Sequence, residues 1–186
     1  MKSADCVLFS GAANGAESEF GAAAERRGIE EVNFTFAGHN DARHRGIRVL
    51  TNEDLIHGDV SLAYVGKLMN RHYRDTPLFK KVLQSIWHQI NAGQEIYVVG
   101  MILEDQTVKG GTGWGVELAK LFNRPVSVYD QERKGWFSWK DNRWVAETPT
   151  ITDKTFVGTG TRNLTDEGRG AIHDLFENSF GPAGNH

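Results

Sequence analysis

Apolar residues along the chain fall into two patterns. Short, continuously apolar runs occur in "DCVLFSG", "VNFTF", "EIYVVG", "PVSVYD" and "KTFVG", and such runs are typical of strands that are buried on both faces. Between these runs, longer segments place apolar residues three and four positions apart, which indicates helices. This order predicts an α/β fold in which helices cover both faces of a mostly parallel sheet.

The clearest helix is predicted over residues 76–91. Thr76 is suited to cap it, Pro77 to occupy the first helical position, and Gly93 to end it. The apolar positions at helical spacing are Leu78, Phe79, Val82, Leu83, Ile86, Trp87 and Ile90. One broad face of this helix is therefore expected to be buried.

The remaining segments complete a single domain, residues 1–180, followed by a flexible tail, residues 181–186. Further helices are predicted in "NGAESEFGAAAERRG", over residues 54–70, over about 114–122 and in "TDEGRGAIHDLFENSF". The stretch 37–52 is expected to be irregular. The sequence "GWFSWKDNRWVA" predicts a short aromatic β-hairpin that carries Trp136, Trp139 and Trp144.

Composition narrows the class of protein. The chain of 186 residues has a formal net charge of −3, so no overall basic field favours nucleic acid. A single cysteine, Cys6, excludes an intrachain disulfide and a multi-cysteine metal site. The seven histidines show no metal-binding spacing, so neither a metal nor a cofactor is predicted. Without a secretion signal or a long apolar run, the protein is expected to be soluble and cytoplasmic, without a membrane partner.

Three glycine-rich segments stand where a predicted strand gives way to a helix: "FSGAANGAESE", "KGGTGWGVELAK" and "FVGTGTRNLTDEG". In a parallel sheet such junctions share one edge, where ligands bind near the point at which strand order reverses. Helix N-termini there favour anions such as phosphate. Each glycine turn on its own is also explained as a tight corner, but three together, with hydroxyl and amide side chains, predict an anion site.

Two common nucleotide-binding motifs are absent from these segments. No Gly-Lys-Ser/Thr follows any of the glycine turns, and "GTGWG" lacks the spacing of a dinucleotide fingerprint. An ordinary P-loop nucleotidase or an NAD dehydrogenase is therefore disfavoured.

Taken together, the three segments resemble those of the SLOG superfamily. "GGTGWGVE" resembles its "GGxGTxxE" signature, and "FSGAANGAESEFGAAAERRG" is similar to the opening of YpsA-like and putative molybdenum-cofactor-carrier proteins. "FVGTGTRNLTDEG" resembles the "GIGSR" segment that most members carry near their N-terminus; its place at the end of this chain is typical of the circularly permuted YpsA-like branch.

The resemblance implies a Rossmann-like sheet that binds a nucleotide or a nucleotide-derived ligand, with its phosphate on the second glycine segment. In the LOG-type phosphoribohydrolases of this superfamily, the motif glutamate and an arginine serve cleavage of the N-glycosidic bond of a nucleoside 5′-monophosphate. By position, these residues are Glu117 and Arg162. The chain departs from the pattern at Trp114, where the enzymes have threonine, and at Glu17, where aspartate is commoner.

Physical chemistry gives each of these residues more than one interpretation. A carboxylate at Glu117 could stabilise an oxocarbenium-like centre or activate water, or it could simply complement the helix dipole. Arg162 could bind phosphate in a bidentate manner or form a surface ion pair. Trp114 could stack on a base or ribose, or pack in the core. The predicted ligand-binding residues are Ser10, Gly11, Asn14, Gly15, Glu17, Gly110, Gly111, Thr112, Gly113, Trp114, Gly158, Thr159, Gly160 and Thr161.

The sequence leaves enzyme and binding protein open as function classes. The first hypothesis is a nucleotide N-glycosidase; the second is a sensor, carrier or sequestering protein for a nucleotide-like signal. A third and weaker one is single-stranded DNA binding of the DprA kind, against which the net charge argues. A cluster of basic residues fits a second phosphate, a polynucleotide or a solvated face: Arg43, His44, Arg45, Arg48, Arg71, His72 and Arg74. Aromatic side chains on the hairpin are consistent with a homodimer.

Overall fold

The computed structural model describes residues 1–73 and 76–183, which form eight strands and six α-helices. The strands are β1 (Val7–Ser10), β2 (Glu30–Phe36), β3 (Ile47–Leu50), β4 (Glu95–Gly100), β5 (Val126–Asp130), β6 (Gly135–Lys140), β7 (Arg143–Ala146) and β8 (Thr155–Gly160). The helices are α1 (Ala16–Glu25), α2 (Asn52–Leu55), α3 (Asp59–Leu68), α4 (Pro77–Ala92), α5 (Thr112–Leu121) and α6 (Asp166–Phe180).

All eight strands belong to one sheet with the order β3-β2-β1-β8-β4-β5-β6-β7. Neighbouring strands run parallel from β3 to β5, whereas β6 and β7 add an antiparallel hairpin at one end. The predicted α/β class, with a Rossmann-like and mostly parallel sheet, is confirmed. The chain runs outward from β1 in one direction and from β4 in the other, so strand order reverses around β8, which lies between them.

Helices cover both faces of this sheet. On one face α1 and α6 bury Phe20 and Phe176 against Phe156 of β8. On the other, α3, α4 and α5 form a second core, to which Leu83 and Val98 belong. Strands with apolar side chains on both faces require this arrangement, because neither face of the sheet can be left in water.

The helix predicted from residue 76 is confirmed as α4. Thr76 Oγ1 accepts a hydrogen bond of 3.1 Å from the N–H of Phe79, Pro77 is the first helical residue, and Gly93 follows the last turn. Both Leu83 and Ile90 are fully buried. The predicted apolar face thus fixes α4 against the sheet.

Two segments differ from the sequence prediction. The stretch 37–52 contains β3, which pairs in parallel with β2 at the edge of the sheet. The helix predicted over residues 54–70 is interrupted: α2 ends at Leu55, a 3-10 turn spans Ile56–Gly58, and α3 follows. Gly58 lies against the indole of Trp87. The chain therefore forms a short turn that packs closely on α4, and α2 and α3 are separate helices.

The predicted aromatic hairpin is β6 and β7, and its tryptophans pack within the chain. Trp136 is buried between Tyr97 and Tyr129. Trp139 and Trp144 meet edge to face. Trp139 and Trp144 are half-buried, and the homodimer expected from the hairpin stays a prediction.

In the described part of the chain, no helix is both long and apolar enough to cross a membrane. Residues 184–186 of the predicted tail, and Arg74 of the basic cluster, lie outside the described residues.

Candidate ligand-binding cavity

A cavity of about 680 Å³ opens at the carboxyl ends of β1, β8 and β4. It lies where strand order reverses, which is the place where open parallel sheets bind ligands. The segments that follow β2 and β5 and the exposed end of α4 complete its walls. Its size is within the range of small-molecule sites in proteins.

The three glycine segments meet at this cavity. Gly11 contributes from the first segment, and Glu17 from the helix that follows it. The other predicted residues that line the cavity are Gly110, Gly111, Thr112, Thr159, Gly160, Thr161 and Arg162. The structure therefore brings together residues more than 140 positions apart in the sequence. This is expected when the carboxyl ends of parallel strands lie at the same edge of a sheet.

Six of the fourteen predicted ligand-binding residues do not line the cavity: Trp114 and five residues near the turns. Ser10 is fully buried and donates its hydroxyl to the carbonyl of Gly158 at 2.6 Å. Gly158 itself lies beneath Phe20, and Gly15 lies against Thr161 and Arg162. The two others, Asn14 and Gly113, are respectively exposed to solvent and buried beneath Val108. These positions shape the turns without facing the cavity.

Trp114 is also part of the core. It is only 2% exposed, stacks at a tilt on Tyr73, and lies against Gly66 of α3. Of its two sequence interpretations, packing is the one the structure shows. The indole therefore does not line the cavity, although the sequence resemblance aligns it with a phosphate-binding threonine.

Glu117 does not line the cavity either. It accepts a hydrogen bond of 2.7 Å from Lys120 within α5. Lys120 in turn lies 3.7 Å from the ring centre of Trp139 and 5.1 Å from that of Trp144. This ion pair faces a separate cavity of about 370 Å³ beside the hairpin. This ion pair connects α5 to the hairpin. The Glu117 carboxylate is therefore directed away from the glycine segments.

The carboxylate that does line the cavity is that of Glu17, which is 6% exposed. Oε1 accepts a hydrogen bond of 2.8 Å from Thr159 Oγ1, and Oε2 accepts one of 3.0 Å from the N–H of Ala13. Among residues 1–73 and 76–183, no salt bridge to Glu17 is present. Burial raises the pKa of Glu17, and these hydrogen bonds, together with nearby His39 and Gln89, only partly oppose that rise.

Gln89 reaches Glu17 from the opposite helical layer. A Cβ at Gly11 would lie only 2.3 Å from Gln89 Nε2 and 2.7 Å from Glu17 Oε2. Because glycine has no Cβ, this position leaves room for the Gln89 side chain of α4 to lie beside the Glu17 side chain of α1 at the end of β1. Gln89 is 1% exposed, and its Oε1 has no hydrogen-bond partner in residues 1–73 and 76–183.

A histidine and an aspartate follow β2 at the same edge. His39 lines the cavity, and its Nδ1 contacts the Asp41 carboxylate. Thr35 Oγ1 donates to Asp41 Oδ1 at 2.7 Å and lies 3.1 Å from the same ring nitrogen. An imidazole held in this way keeps a proton on Nδ1, which makes Nε2 a hydrogen-bond acceptor in the neutral ring.

The outer end of the cavity is rich in hydrogen-bond donors. Arg71 fixes the approach to α5 by donating to the carbonyls of Val108 and Gly110 at 3.0 and 3.2 Å. The N–H groups of Gly110, Gly111 and Thr112 find no acceptor within the described ranges. Lys109 and Arg162, both exposed, line the same region. Unpaired N–H groups and two cations at a helix N-terminus are suited to an anion.

An apolar wall joins these two ends. It is formed by the side of α4 that faces the cavity, from Leu78 through Phe79 and Val82 to Ile86. Leu78 is 55% exposed, although it belongs to the predicted buried face. A cavity in which one wall is apolar and the others carry a few polar groups is typical of small-molecule sites.

Several residues of this cavity were not predicted from the sequence. Sequence reasoning omitted His39, Gln89, Lys109 and Phe79 as site residues. His39 could have been found, because it follows a buried strand and the carboxyl ends of parallel strands share an edge. Gln89 carries no such signal, because its position depends on how α4 crosses the end of β1.

The predicted basic cluster is partly neutralised by carboxylates. Arg43 pairs with the buried Glu31 at 2.5 Å and with Glu25 at 2.8 Å, and Arg45 pairs with the same two acids. These ion pairs hold the segment before β3 against α1. In the described ranges, no group of three or more His, Cys, Asp or Glu side chains is arranged to hold a metal ion.

Comparisons with protein families, with curated proteins and with solved structures find no match to this chain.

Proposed function

We propose that this protein binds a nucleotide or a nucleotide-derived small molecule in the cavity at the carboxyl edge of its sheet. The observation that carries this proposal is the meeting of all three glycine segments with an apolar helix face around one space of about 680 Å³. A nucleotide combines an anionic group with a planar base, and the cavity combines an anion-binding end with an apolar wall. The sequence resemblance to the SLOG superfamily supports the same ligand class.

The anionic group fits the outer end, beside Gly110 and Gly111. Backbone N–H groups at the start of α5 supply donors, and the helix adds a partial positive charge. Arg162 adds a planar donor group suited to phosphate oxygens. The single buried carboxylate of the cavity, Glu17, would repel an anion placed at the other end.

Nucleotide binding is tested by thermal unfolding and calorimetry with a panel of nucleoside monophosphates and free phosphate. A ligand at 100 times its dissociation constant stabilises the folded state by about 2.7 kcal/mol. We expect Arg162→Gln to weaken binding at least tenfold. Arg143→Gln is the matched control, because Arg143 is exposed on β7 outside the cavity. If no nucleotide stabilises the protein, or if both variants bind alike, the proposal fails.

Cleavage of the N-glycosidic bond is a second candidate function. It is favoured by a specific observation: Glu17, with its raised pKa, is the one acidic side chain among the described residues lining the cavity. Such a carboxyl group is suited to general acid–base chemistry at a ribosyl carbon. The reaction would add water across the bond between C1′ and the base nitrogen, which releases the base and a sugar phosphate.

Two glutamate variants distinguish the possible catalytic groups. Incubation with nucleoside monophosphates, followed by chromatography for free base, measures turnover. If the cavity carboxylate is the catalytic one, Glu17→Gln abolishes release of base and Glu117→Gln does not. The opposite result would support the role that the sequence signature assigns to Glu117. Tight binding with no base released by the wild-type protein would support a carrier or sensor.

Binding of single-stranded DNA remains the weakest of the three functions. Arg43 and Arg45, at the centre of the basic cluster, already pair with Glu31 and Glu25. Little of their charge is left for phosphates. A salt-sensitive gel shift with single-stranded DNA would be the result that supports this function.

A further inference from the structure

The two ends of the cavity differ in hydrogen-bonding character. The outer end offers donors: the N–H groups before α5, Lys109 and Arg162. The inner end offers acceptors, because it contains the Glu17 carboxylate and the carbonyl oxygen of Gln89. A ligand that spans the cavity must therefore be asymmetric, with acceptors or negative charge at one end and donors at the other.

The acceptors at the inner end are incompletely paired. Glu17 has four lone-pair sites, of which the Thr159 hydroxyl, the Ala13 N–H and the Gln89 amide group occupy three. Gln89 places its Nε2 beside that carboxylate and leaves its Oε1 without a partner among the described residues. A buried acceptor that is left unpaired is unfavourable, because it has lost its hydrogen bonds to water. The folded protein keeps this unfavourable arrangement in a region that lines the cavity.

His39 also lines this region of the cavity. Its Nδ1 is held by Asp41 and Thr35, so the neutral ring presents Nε2 as an acceptor. The two nearest donors, the Thr159 hydroxyl and the Gln89 amide group, are directed at Glu17. The inner end is thus suited to receive N–H groups from a ligand.

The distance between the outer and inner ends of the cavity can be estimated along helix α4, which passes both. Phe79 lies beside Gly111 at the outer end, and Gln89 lies beside Gly11 and Glu17 at the inner end. Ten residues separate them, which corresponds to about 15 Å along the helix axis. An inorganic anion is too small to reach both ends, whereas an elongated organic ligand can do so.

We propose that the cavity selects nucleotides whose base carries an amino group, with the phosphate at the start of α5 and the amino group directed at Glu17 and Gln89. This inference rests on the proposed function and adds the class of base. An amino group supplies the donors that the inner acceptors lack. A base without a donor at that position would leave those acceptors desolvated and unpaired.

The test compares nucleotide pairs that differ by one amino group. AMP is paired with purine riboside 5′-monophosphate, and CMP with 2-pyrimidinone riboside 5′-monophosphate; affinities are measured by calorimetry on the full chain. We expect the amino-bearing member to bind at least tenfold more tightly in each pair that binds. Equal affinities within every pair that binds would overturn the inference and leave nucleotide binding intact. Absence of binding by all four would instead contradict the proposed function, and the inference with it.

Variants of single side chains test whether the inner end of the cavity is responsible for the preference for a base with an amino group. Glu17→Gln keeps the shape of the side chain and replaces one acceptor by a donor, so we expect the preference for the amino group to fall at least fivefold. Glu117→Gln, the same change outside the cavity, should keep the preference. An unchanged preference in a folded Glu17→Gln protein would overturn the assignment to Glu17. Should that variant not fold, the wild-type pairs and Gln89→Leu, which removes the unpaired oxygen, decide the question.

Discussion

Thr159 Oγ1 donates a hydrogen bond of 2.8 Å to Glu17 Oε1 and so joins the end of β8 to the first turn of α1. Both residues are buried, and both line the cavity. A short bond between a hydroxyl and a carboxylate in a water-poor site is stronger than its equivalent in water. This contact therefore connects stability with the proposed ligand site.

Removal of this hydrogen bond should destabilise the protein measurably. We expect Thr159→Val to lower the free energy of unfolding by about 1.5–3 kcal/mol, because the carboxylate loses a donor in a buried site. Urea unfolding at neutral pH measures the change. Thr161→Val, at the half-buried rim, is the control and should change stability by about 0.5 kcal/mol or less. Equal losses in the two variants would contradict a special role for the buried bond.

Glu17 should make stability depend on pH. Its pKa in the folded state is raised above the ordinary value of 4.5, so between those two values the folded state binds more protons than the unfolded state. The contribution of Glu17 to stability is therefore largest below pH 4.5 and falls as pH rises towards the folded pKa. Glu17→Gln removes this titration.

Unfolding free energies of the wild-type and Glu17→Gln proteins, measured from acid to neutral pH, test this expectation. The difference between wild type and variant should decrease as pH rises from about 4.5 and then become constant. A difference that grows with pH would show that the folded state favours the ionised carboxylate, in contradiction to the prediction.

A side chain at Gly11 should disturb the inner end of the cavity. A methyl group would meet Gln89 Nε2 at 2.3 Å and Glu17 Oε2 at 2.7 Å, so Gly11→Ala must displace the contact at the inner end of the cavity. We expect a loss of about 1–3 kcal/mol in stability, together with weaker nucleotide binding. Gly170→Ala is the matched control. Gly170 lies in α6 with open space around it, so alanine there should raise stability by about 0.4–1 kcal/mol.

Lys120 should stabilise the hairpin without affecting the ligand site. Lys120→Met removes the cation from Trp139 and Trp144 and leaves Glu117 without its partner, which we expect to cost about 1–2 kcal/mol and to change tryptophan fluorescence. Nucleotide affinity should stay the same. For comparison, Lys140→Met removes an exposed lysine that pairs with Glu147 and should change stability by about 0.5 kcal/mol or less. Altered nucleotide affinity in Lys120→Met would count against the separation of the two regions.

Most of the architecture followed from the pattern of apolar residues. Strands buried on both faces and a strongly amphipathic α4 leave little choice of structure. The strand missed, β3, is four residues long, lies at the sheet edge and buries only Leu50. At such an edge the backbone pairing with β2, rather than an apolar pattern, creates the strand, and pairing cannot be seen in local sequence.

The candidate site was predicted in its location and only partly in its residues. Topology alone brings the glycine segments together, so the cavity-lining residues at the end of β8 and at the start of α5 were found. Glu117 was placed by motif, but it lies five positions after Thr112, roughly 140° around the helix axis. Since Thr112 lines the cavity, the helix directs Glu117 elsewhere. The start of a helix decides which of its residues face a site, and a motif does not reveal that start.

The position of β8 has a consequence for synthesis on the ribosome. The last of the eight described strands to emerge must insert at the centre of the sheet, between β1 and β4. Until it does, β1 and β4 each present an open edge, and neither Thr159 nor Arg162 can reach the cavity. Contacts between residues so distant in sequence form slowly. A nascent chain that ends before β8 therefore carries two unpaired edges that invite wrong pairing, and the cavity is assembled only after β8 has been synthesised.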